Sequence, residues 1–443
     1  MPLSPQTLAD PVAWATTTFG TAALGDQRRT RRAVATAARL AADPGSSLPA
    51  AVREPAALKA TYRLLHEPAV DVAALVAPQQ QATLTTARHT PVVLLVQDTT
   101  EVDYTAHRAA TGLGPIGNGG GRGYLLQSVL ALTPAPRQVL GVAYLEPFLR
   151  VPAPRQGERS DERRRRPRES DVWARAVAAI GAPPPDSRWV HVADAGADVF
   201  TFFQEAHATG ADLLVRAVQD RRAATPQGEI THLRQAAQDL PPQATRALDL
   251  AAQPGRAART ATLAVAWTAL TLQPPAGMAG AGLPVWVVRA WEPAPPPEVA
   301  EPLEWLLVTT VPVGGVVAAW ERVDWYTSRW VAEEYHRCLK TGCRLEASQL
   351  RDRAALWRLL GLRAPIAVRL VQLRDLARDR PDRPAAGMTP AVFWALVARL
   401  GGHQGRRGDG PPGWQTLWRG WLHVQTLLDG VHLAQTLPAL RCG

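Results

Sequence analysis

The sequence predicts an α/β fold whose mixed core contains a β-strand insertion and is flanked by helical segments at both ends of the chain. Residues 91–96 form an unbroken apolar run, which is typical of a strand buried on both faces. Strand-like runs at 188–193 and 212–218 alternate with helical patterns, as expected for an α/β sheet. Period-two alternation at 261–270 indicates antiparallel strands.

The N-terminal part, residues 1–75, has a helical pattern. A helix is expected after the turn-forming Gly25 and Asp26, and a second amphipathic helix is expected from residue 57. The first turns of the earlier helix carry a cluster of arginines, namely Arg28, Arg29, Arg31 and Arg32. Two short basic helices in a compact unit suit DNA binding, but arginines also solvate ordinary helix surfaces. The segment alone leaves both interpretations open.

The central domain is predicted to span residues 76–370, with the β insertion at about 220–303. Further strands are expected at 124–132 and 139–145, separated from the first strand by a glycine-rich connection. An arginine-rich loop at 151–170 is expected to be solvated. Residues 371–443 are predicted to form a helical C-terminal domain, in which Trp414, Trp418 and Trp421 share one helix face typical of a core or subunit interface.

Composition narrows the class of protein. The chain has 443 residues and a net charge of +10, carried mostly by arginine, which favours a polyanionic partner such as nucleic acid. Its 3 cysteines form no metal-binding motif or disulfide framework. The first residues lack the pattern of a signal peptide, and no uncharged apolar run reaches membrane length. We therefore expect a cytoplasmic protein without a membrane partner.

The most informative segment is 326–340. At about 100° per residue, Tyr326, Arg329, Glu333 and Lys340 fall within one narrow arc of a continuous α-helix. Helix faces that serve stability alone are either apolar or carry alternating opposite charges. A face with one acid flanked by two cations and a phenol fits neither pattern. The pattern predicts a surface that holds a carboxylate beside a polyanion.

Two aspartates are candidates to join this glutamate. Asp98 and Asp194 each follow an apolar run, and ligand sites in α/β sheets lie at the carboxyl ends of strands. Each aspartate taken singly is also a common turn former or helix N-cap. Three carboxylates in one place would bind Mg²⁺ or Mn²⁺, and a pair of such ions about 3.5–4 Å apart supports phosphodiester cleavage. The competing acids are Asp103, Asp198 and Glu334.

The Tyr-x-x-Arg-x-x-x-Glu-x-x-x-x-x-x-Lys spacing is similar to the signature of the insertion-sequence-four family of DDE transposases. The resemblance covers nearly the whole chain, and its segments occur in collinear order. They are residues 22–29, Asp98-Thr-Thr, Glu169-Ser-x-x-Trp, Asp194-x-x-Ala-Asp, Glu304-Trp-Leu-Leu, 326–342, 367–374, Leu400-Gly-Gly and Trp418-x-Gly-Trp.

The resemblance implies a ribonuclease-H-like catalytic core with Asp98, Asp194 and Glu333 as both catalytic and metal-binding residues, holding two Mg²⁺ or Mn²⁺ ions. It implies a cut-and-paste transposase that binds double-stranded DNA at inverted-repeat ends, acts as a homodimer and joins the ends to target DNA. The residues implied to contact DNA are Tyr326, Arg329, Lys340, Trp305, Arg28, Arg29 and Arg32. Trp305 is implied to stack on a flipped base during hairpin formation.

Two other functions are compatible with the same sequence. The first is a catalytically silent repressor or domesticated DNA-binding protein, which would bind DNA in a salt-dependent way without a metal requirement. The second is a nuclease with the same core, which would cleave unrelated DNA and yield no joined product.

Overall fold

The computed structural model describes residues 7–8, 10–150, 167–250, 258–278, 280–297, 299, 301–379, 397–404, 413, 416–417, 419–421 and 423–424. Most of the predicted arginine-rich loop and most of the predicted C-terminal domain, including Trp414 and Trp418, lie outside these residues. The described part is a mixed α/β structure with one large sheet, which confirms the α/β prediction.

The N-terminal part is helical, as predicted. Its helices are α1 (Pro11–Phe19), α2 (Gln27–Ala42), α3 (Leu48–Ala51), α4 (Pro55–Leu65) and α5 (Val72–Arg88). Helix α2 begins at the predicted turn, because the Asp26 carboxylate accepts a hydrogen bond of 2.7 Å from the Arg28 N–H. This N-cap satisfies a backbone donor that has no partner within the helix.

The sheet is built from twelve strands. These are β1 (Val92–Asp103), β2 (Gly114–Ile116), β3 (Gly121–Pro134), β4 (Arg137–Phe148), β5 (Arg188–Ala193), β6 (Asp212–Arg216), β7 (Arg222–Ala224), β8 (Ile230–His232), β9 (Ala244–Leu250), β10 (Arg259–Leu272), β11 (Leu283–Trp291) and β12 (Glu304–Thr309). Strands β1, β3 and β4 form an antiparallel meander. Strand β5 pairs parallel with β1, and β6 pairs parallel with β5.

The predicted β insertion forms antiparallel strands, as its alternation indicated. Strands β7 to β11 come from this segment, and β11 pairs with β12, which in turn pairs with β6. The insertion therefore extends the central sheet. Helices α6 (Asp171–Ile180), α7 (Phe200–Thr209) and α8 (Leu233–Gln238) lie between strands along the chain.

The prediction that β1 ends at Asp98 was wrong. The strand continues to Asp103, because its backbone stays paired with β3 from Asp98 opposite Ser128 to Asp103 opposite Gly123. Only the parallel ladder with β5 ends earlier, at the pair Val96 and Val192. Asp98 therefore lies within a strand, just beyond the end of its parallel pairing.

The prediction of one continuous α-helix over 326–340 was also wrong. Helix α9 (Val316–Thr327) ends before Arg329, α10 (Trp330–Arg337) follows, and Cys338–Gly342 form a π-helical turn. At the junction the Arg329 N–H bonds to the Tyr326 carbonyl, and the Ala332 N–H bonds to the Arg329 carbonyl, each at 3.0 Å. These hydrogen bonds span three residues, as in a 3₁₀-helix, so the helix has fewer residues per turn here. The following π turn has more residues per turn than an α-helix. The uniform 100° spacing therefore fails at both places.

The long helix α11 (Arg353–Asp379) joins the N-terminal helices to the core. Arg358 donates to the Leu65 carbonyl at 3.0 Å, and Arg369 donates to the Ala41 carbonyl at 2.9 Å. Leu65 is the last residue of α4 and Ala41 is the next-to-last residue of α2, so both carbonyls lie in the final turn, where they have no partner within their own helices. A cation is favourable at such a helix end. In the described parts of the chain, no helix is long and apolar enough to cross a bilayer.

Candidate active site

Asp98 and Asp194 lie just beyond the last pair of the parallel β1–β5 ladder, Asp98 within β1 and Asp194 directly after β5. The ladder pairs Val96 of β1 with Val192 of β5, and each aspartate follows its valine by two residues. Because side chains alternate across a strand, each aspartate continues the face of its valine. Both valines belong to the core that also contains Val331 of α10. The two aspartates therefore lie beside each other on the face of the sheet that α10 covers.

Asp194 begins a short 3₁₀ turn directly after β5, as the sequence indicated for a strand end. One of its oxygens accepts a hydrogen bond of 2.8 Å from the Gly196 N–H. Burial raises the pKa of the Asp194 carboxyl, and the negative charges of Asp98 and Glu333 raise this pKa further. Arg329 and the Gly196 hydrogen bond act in the opposite direction. Glu333 is therefore close enough to Asp194 to act on its carboxyl electrostatically.

Glu333 is held by Arg329. The guanidinium donates a hydrogen bond to the Glu333 carboxylate one turn away, and both side chains are at least partly buried. Tyr326 is buried beside Arg329, and burial raises the pKa of its phenol. A phenol with a raised pKa keeps its proton and can donate a hydrogen bond. Lys340 contacts a different acid, with its Nζ 4.0 Å from Glu346 Oε1.

One buried residue of the site was not found from the sequence. His336 follows Glu333 by three residues, and its Nδ1 lies 3.6 Å from Asp98 Oδ2 while its Nε2 lies 2.7 Å from Ser128 Oγ. The i, i+3 spacing from Glu333 was a signal that it shares a helix face with the acid. A single histidine in a helix is nevertheless too common to identify a site.

The competing acids have structural partners. Asp198 is buried, and its carboxylate accepts hydrogen bonds from Arg221 at 2.9 and 2.7 Å. Glu334 forms an ion pair of 2.5 Å with Arg374 of α11. Asp103 accepts a hydrogen bond of 2.7 Å from the Thr105 N–H. These contacts explain why each of the three acids is present, so none of them needs a catalytic role.

The donor set has the chemistry that a hard divalent cation requires, but its side chains are not gathered around a metal position. Among the described residues, no group of three or more His, Cys, Asp and Glu side chains is close enough to hold an ion. Glu333 is instead paired with Arg329. Burial and, after it, the negative charges of Asp98 and Glu333 raise the pKa of Asp194, and a bound cation would relieve the part that comes from these two charges.

Trp305 and Tyr326 are neighbours at the edge of the site. Their ring centroids are 6.1 Å apart, and Trp305 is half-buried near the start of β12. A cleft of about 470 Å³ beside Trp305 is lined by Arg216, Arg234 and Arg289, among others. The sequence analysis did not find these arginines, because they come from β6, α8 and β11 and no spacing relates them.

The predicted arginines of α2 are in different environments. The Arg28 side chain is 88% exposed, so it can reach a partner in solution, although its Nε lies 3.7 Å from Asp26 Oδ2. Arg29 is engaged within the protein, since it donates to the Leu24 carbonyl at 3.1 Å and forms an ion pair of 3.0 Å with Glu67. Arg32 is half-buried.

Residues 11–70 match the model of a family described as transposase DNA-binding. The matched region runs from the start of α1 to just before α5 and includes the arginine cluster of α2. The match supports a DNA-binding transposase, the class that the resemblance implied, whereas the charge and the helical pattern had indicated only a nucleic-acid partner. It lies entirely outside the segments that carry Asp98, Asp194 and Glu333.

Proposed function

We propose that this protein is a cut-and-paste DNA transposase of the insertion-sequence-four family, of the same type as the transposon-five transposase. The observation that carries the proposal is the placement of Asp98 and Asp194 just beyond the last pair of the parallel β1–β5 ladder, with Asp98 and Glu333 both close enough to raise the pKa of Asp194. The match of residues 11–70 to a transposase DNA-binding family independently supports the coarser conclusion, a DNA-binding transposase.

The order of the central strands supports a ribonuclease-H-like core. An antiparallel meander of β1, β3 and β4 leads into the parallel strands β5 and β6, and the first acid lies on the central strand β1. The insertion would then be an elaboration at the β12 edge, where it brings arginines beside Trp305.

In this proposal Asp98, Asp194 and Glu333 would hold Mg²⁺ or Mn²⁺, two ions in each site. When bound, such ions activate the attacking oxygen and stabilise the leaving oxygen of an in-line displacement. Carboxylate oxygens are the ligands that these cations prefer. Relief of the repulsion around Asp194 is the electrostatic reason for the cation to bind there.

The neighbouring side chains would hold the DNA. Arg329 and Lys340 would bind phosphates, Tyr326 would donate a hydrogen bond to another phosphate, and Trp305 would stack on a flipped base. The exposed Arg28 and the half-buried Arg32 would contact the transposon end from the N-terminal domain. Arg29 would support these contacts by holding α2 against Glu67.

The reaction would proceed as successive displacements at one site. Water would nick one strand at the transposon end, and the freed 3′-hydroxyl would attack the opposite strand to form a hairpin. Hydrolysis of the hairpin and transfer of the end into target DNA would follow. Two copies of the chain would hold the two inverted-repeat ends together.

Cleavage of a labelled inverted-repeat end with Mn²⁺ tests the proposal. Glu333→Gln and Asp98→Asn should abolish nicking while DNA binding is retained. Glu334→Gln is the matched control on the same helix, because Glu334 pairs with Arg374 and should affect stability rather than chemistry. Nicking that survives Glu333→Gln or Asp98→Asn contradicts the assignment.

A catalytically silent DNA-binding protein is the second candidate. The pairing of Glu333 with Arg329, and the lack of a gathered ligand set among the described residues, favour it over a preformed metal site. It predicts end binding that depends on salt but not on Mn²⁺, and no nicking by the parent protein. Cleavage of unrelated DNA without any joined product would instead identify a nuclease.

A further inference from the structure

His336 connects two elements of the site from a buried position. Its side chain comes from α10, the helix that carries Glu333, and it reaches β1 and β3 of the sheet. Nε2 lies 2.7 Å from Ser128 Oγ, which is a hydrogen-bond distance. Nδ1 lies 3.6 Å from Asp98 Oδ2, which is too long for a hydrogen bond but close enough for electrostatic attraction.

The two partners of His336 are themselves paired. Asp98 and Ser128 face each other in the β1–β3 ladder, and Ser128 Oγ also lies 3.4 Å from the Asp98 carbonyl oxygen. Ser128 is fully buried and His336 is 5% exposed, so water cannot replace these contacts easily. One imidazole therefore fixes the position of α10 relative to the strand that bears Asp98.

One tautomer of the imidazole suits both partners, with a hydrogen bond to Ser128 and a longer electrostatic contact with Asp98. With its proton on Nδ1, the ring points a donor at the Asp98 carboxylate and accepts the Ser128 hydroxyl proton at Nε2. The second oxygen of Asp98 accepts a hydrogen bond of 3.0 Å from the Thr99 N–H. Together, the ring and this backbone N–H restrict the rotation of the carboxylate.

We propose that His336 is a positioning residue, which orients Asp98 through its Nδ1 and sets the separation of Asp98 from Glu333 through its anchor on Ser128. The inference rests on the proposed function, since it assigns His336 to the same site. Groups that orient a metal-binding carboxylate typically change metal affinity or activity by about 10–100-fold when they are removed.

The test is Mn²⁺ binding to the full chain, measured by electron paramagnetic resonance and by the Mn²⁺-induced rise in melting temperature, alongside nicking of a labelled end. His336→Ala should weaken Mn²⁺ binding and nicking by about 10–100-fold, while end binding in a gel shift stays within about twofold. His336→Asn retains a donor near Asp98, and His336→Gln retains a group near Ser128. If His336→Ala does not fold, these two variants carry the test, and each should show a partial loss.

His107→Ala is the matched control. His107 also makes an imidazole hydrogen bond, of 3.0 Å to the Leu350 carbonyl, and this contact does not involve the three acids. Its loss should lower the melting temperature of the metal-free protein without changing Mn²⁺ affinity. If His336 and Ser128 act as a coupled pair, adding Ser128→Ala to His336→Ala should change Mn²⁺ affinity and nicking little further.

Two failures are distinguishable. If the parent chain binds Mn²⁺ and Asp98→Asn abolishes binding, but all His336 variants bind Mn²⁺ as the parent does, the positioning role is overturned and the proposed function stands. If the parent chain shows no Mn²⁺ binding that depends on Asp98, the proposed function and this inference are both overturned.

Discussion

The guanidinium of Arg329 donates a hydrogen bond to the carboxylate of Glu333, so the predicted phosphate ligand and the predicted metal ligand are paired with each other. Each group is satisfied by the other in the protein alone. A phosphate that binds Arg329 releases Glu333, and a cation that binds Glu333 releases Arg329. The binding of DNA and the binding of metal are therefore expected to favour each other.

The first prediction concerns this pair. Arg329→Gln removes a cation next to the acids, so Mn²⁺ should bind the free variant about 3–10-fold more tightly than the parent. Nicking should nevertheless fall, because the variant loses its phosphate contact. Electron paramagnetic resonance of free Mn²⁺ measures the affinity. Arg337→Gln, an exposed change at the end of α10, is the control, and equal affinities for all three proteins would contradict the expectation.

The second prediction concerns pH. The folded protein raises the pKa of Asp194, so it binds this proton more tightly than the unfolded chain does. The stabilisation from protonated Asp194 is complete below the unfolded pKa, near 3.8, and is lost as pH rises through the higher folded value. At neutral pH, Asp194→Asn should therefore stabilise the metal-free protein, raising its melting temperature by about 1–2 °C. Calorimetry at several pH values measures this difference.

Asp198→Asn provides the contrast for that experiment. Asp198 is buried against Arg221, and removing one partner of a buried ion pair costs about 3–5 kcal/mol. This variant should be strongly destabilised at neutral pH. Should Asp194→Asn lower the melting temperature as well, the cost of a charged Asp194 in the folded protein, from burial and from the two neighbouring acids, would not decide its effect on stability.

The third prediction separates the arginines of α2. Arg28→Ala should weaken binding to an inverted-repeat end and lower the salt slope of the affinity by about 0.9, as expected for one lost phosphate contact. Arg29→Ala should chiefly lower the melting temperature, because it removes the ion pair with Glu67. Fluorescence anisotropy across a salt series, together with thermal melts, distinguishes them. The assignment is wrong if the two substitutions have the opposite effects.

The fourth prediction concerns Trp305. Base stacking on an aromatic side chain contributes about 1–3 kcal/mol, so Trp305→Ala should slow hairpin formation by about 5–150-fold. The first nick needs no flipped base and should change much less. Trp305→Phe, which can still pack on Tyr326, should restore part of the hairpin rate. Denaturing gels resolve nicked and hairpin products; equal losses at both steps would argue against a stacking role.

Local patterns were enough to predict many elements of this fold. The start of α2 at Asp26 and the end of β5 before Asp194 were both predicted, because N-capping and apolar runs are properties of neighbouring residues. The end of β1 was not predicted. Asp98 lies in a polar stretch that looks like a strand end, but pairing with β3 extends the strand by five residues past it.

The roles of individual charged side chains were harder to predict from sequence. Glu334 is committed to Arg374, and Arg29 is committed to Glu67, although each looked available in the sequence. In both pairs the partners are about forty residues apart. Local spacing does not predict such contacts, because they form only when helices pack on one another.

The sequence by itself determined the mixed α/β class, the basic helical N-terminal part and the identity of the acids worth considering. These depend on composition, periodicity and spacing, which one-dimensional information contains. Only the tertiary structure decided that Asp98 and Asp194 lie near each other, that Arg329 is hydrogen-bonded to Glu333 and that the His336 ring lies beside Asp98. Strand register and helix docking bring together residues that are distant along the chain, and electrostatic interactions depend on those distances in space.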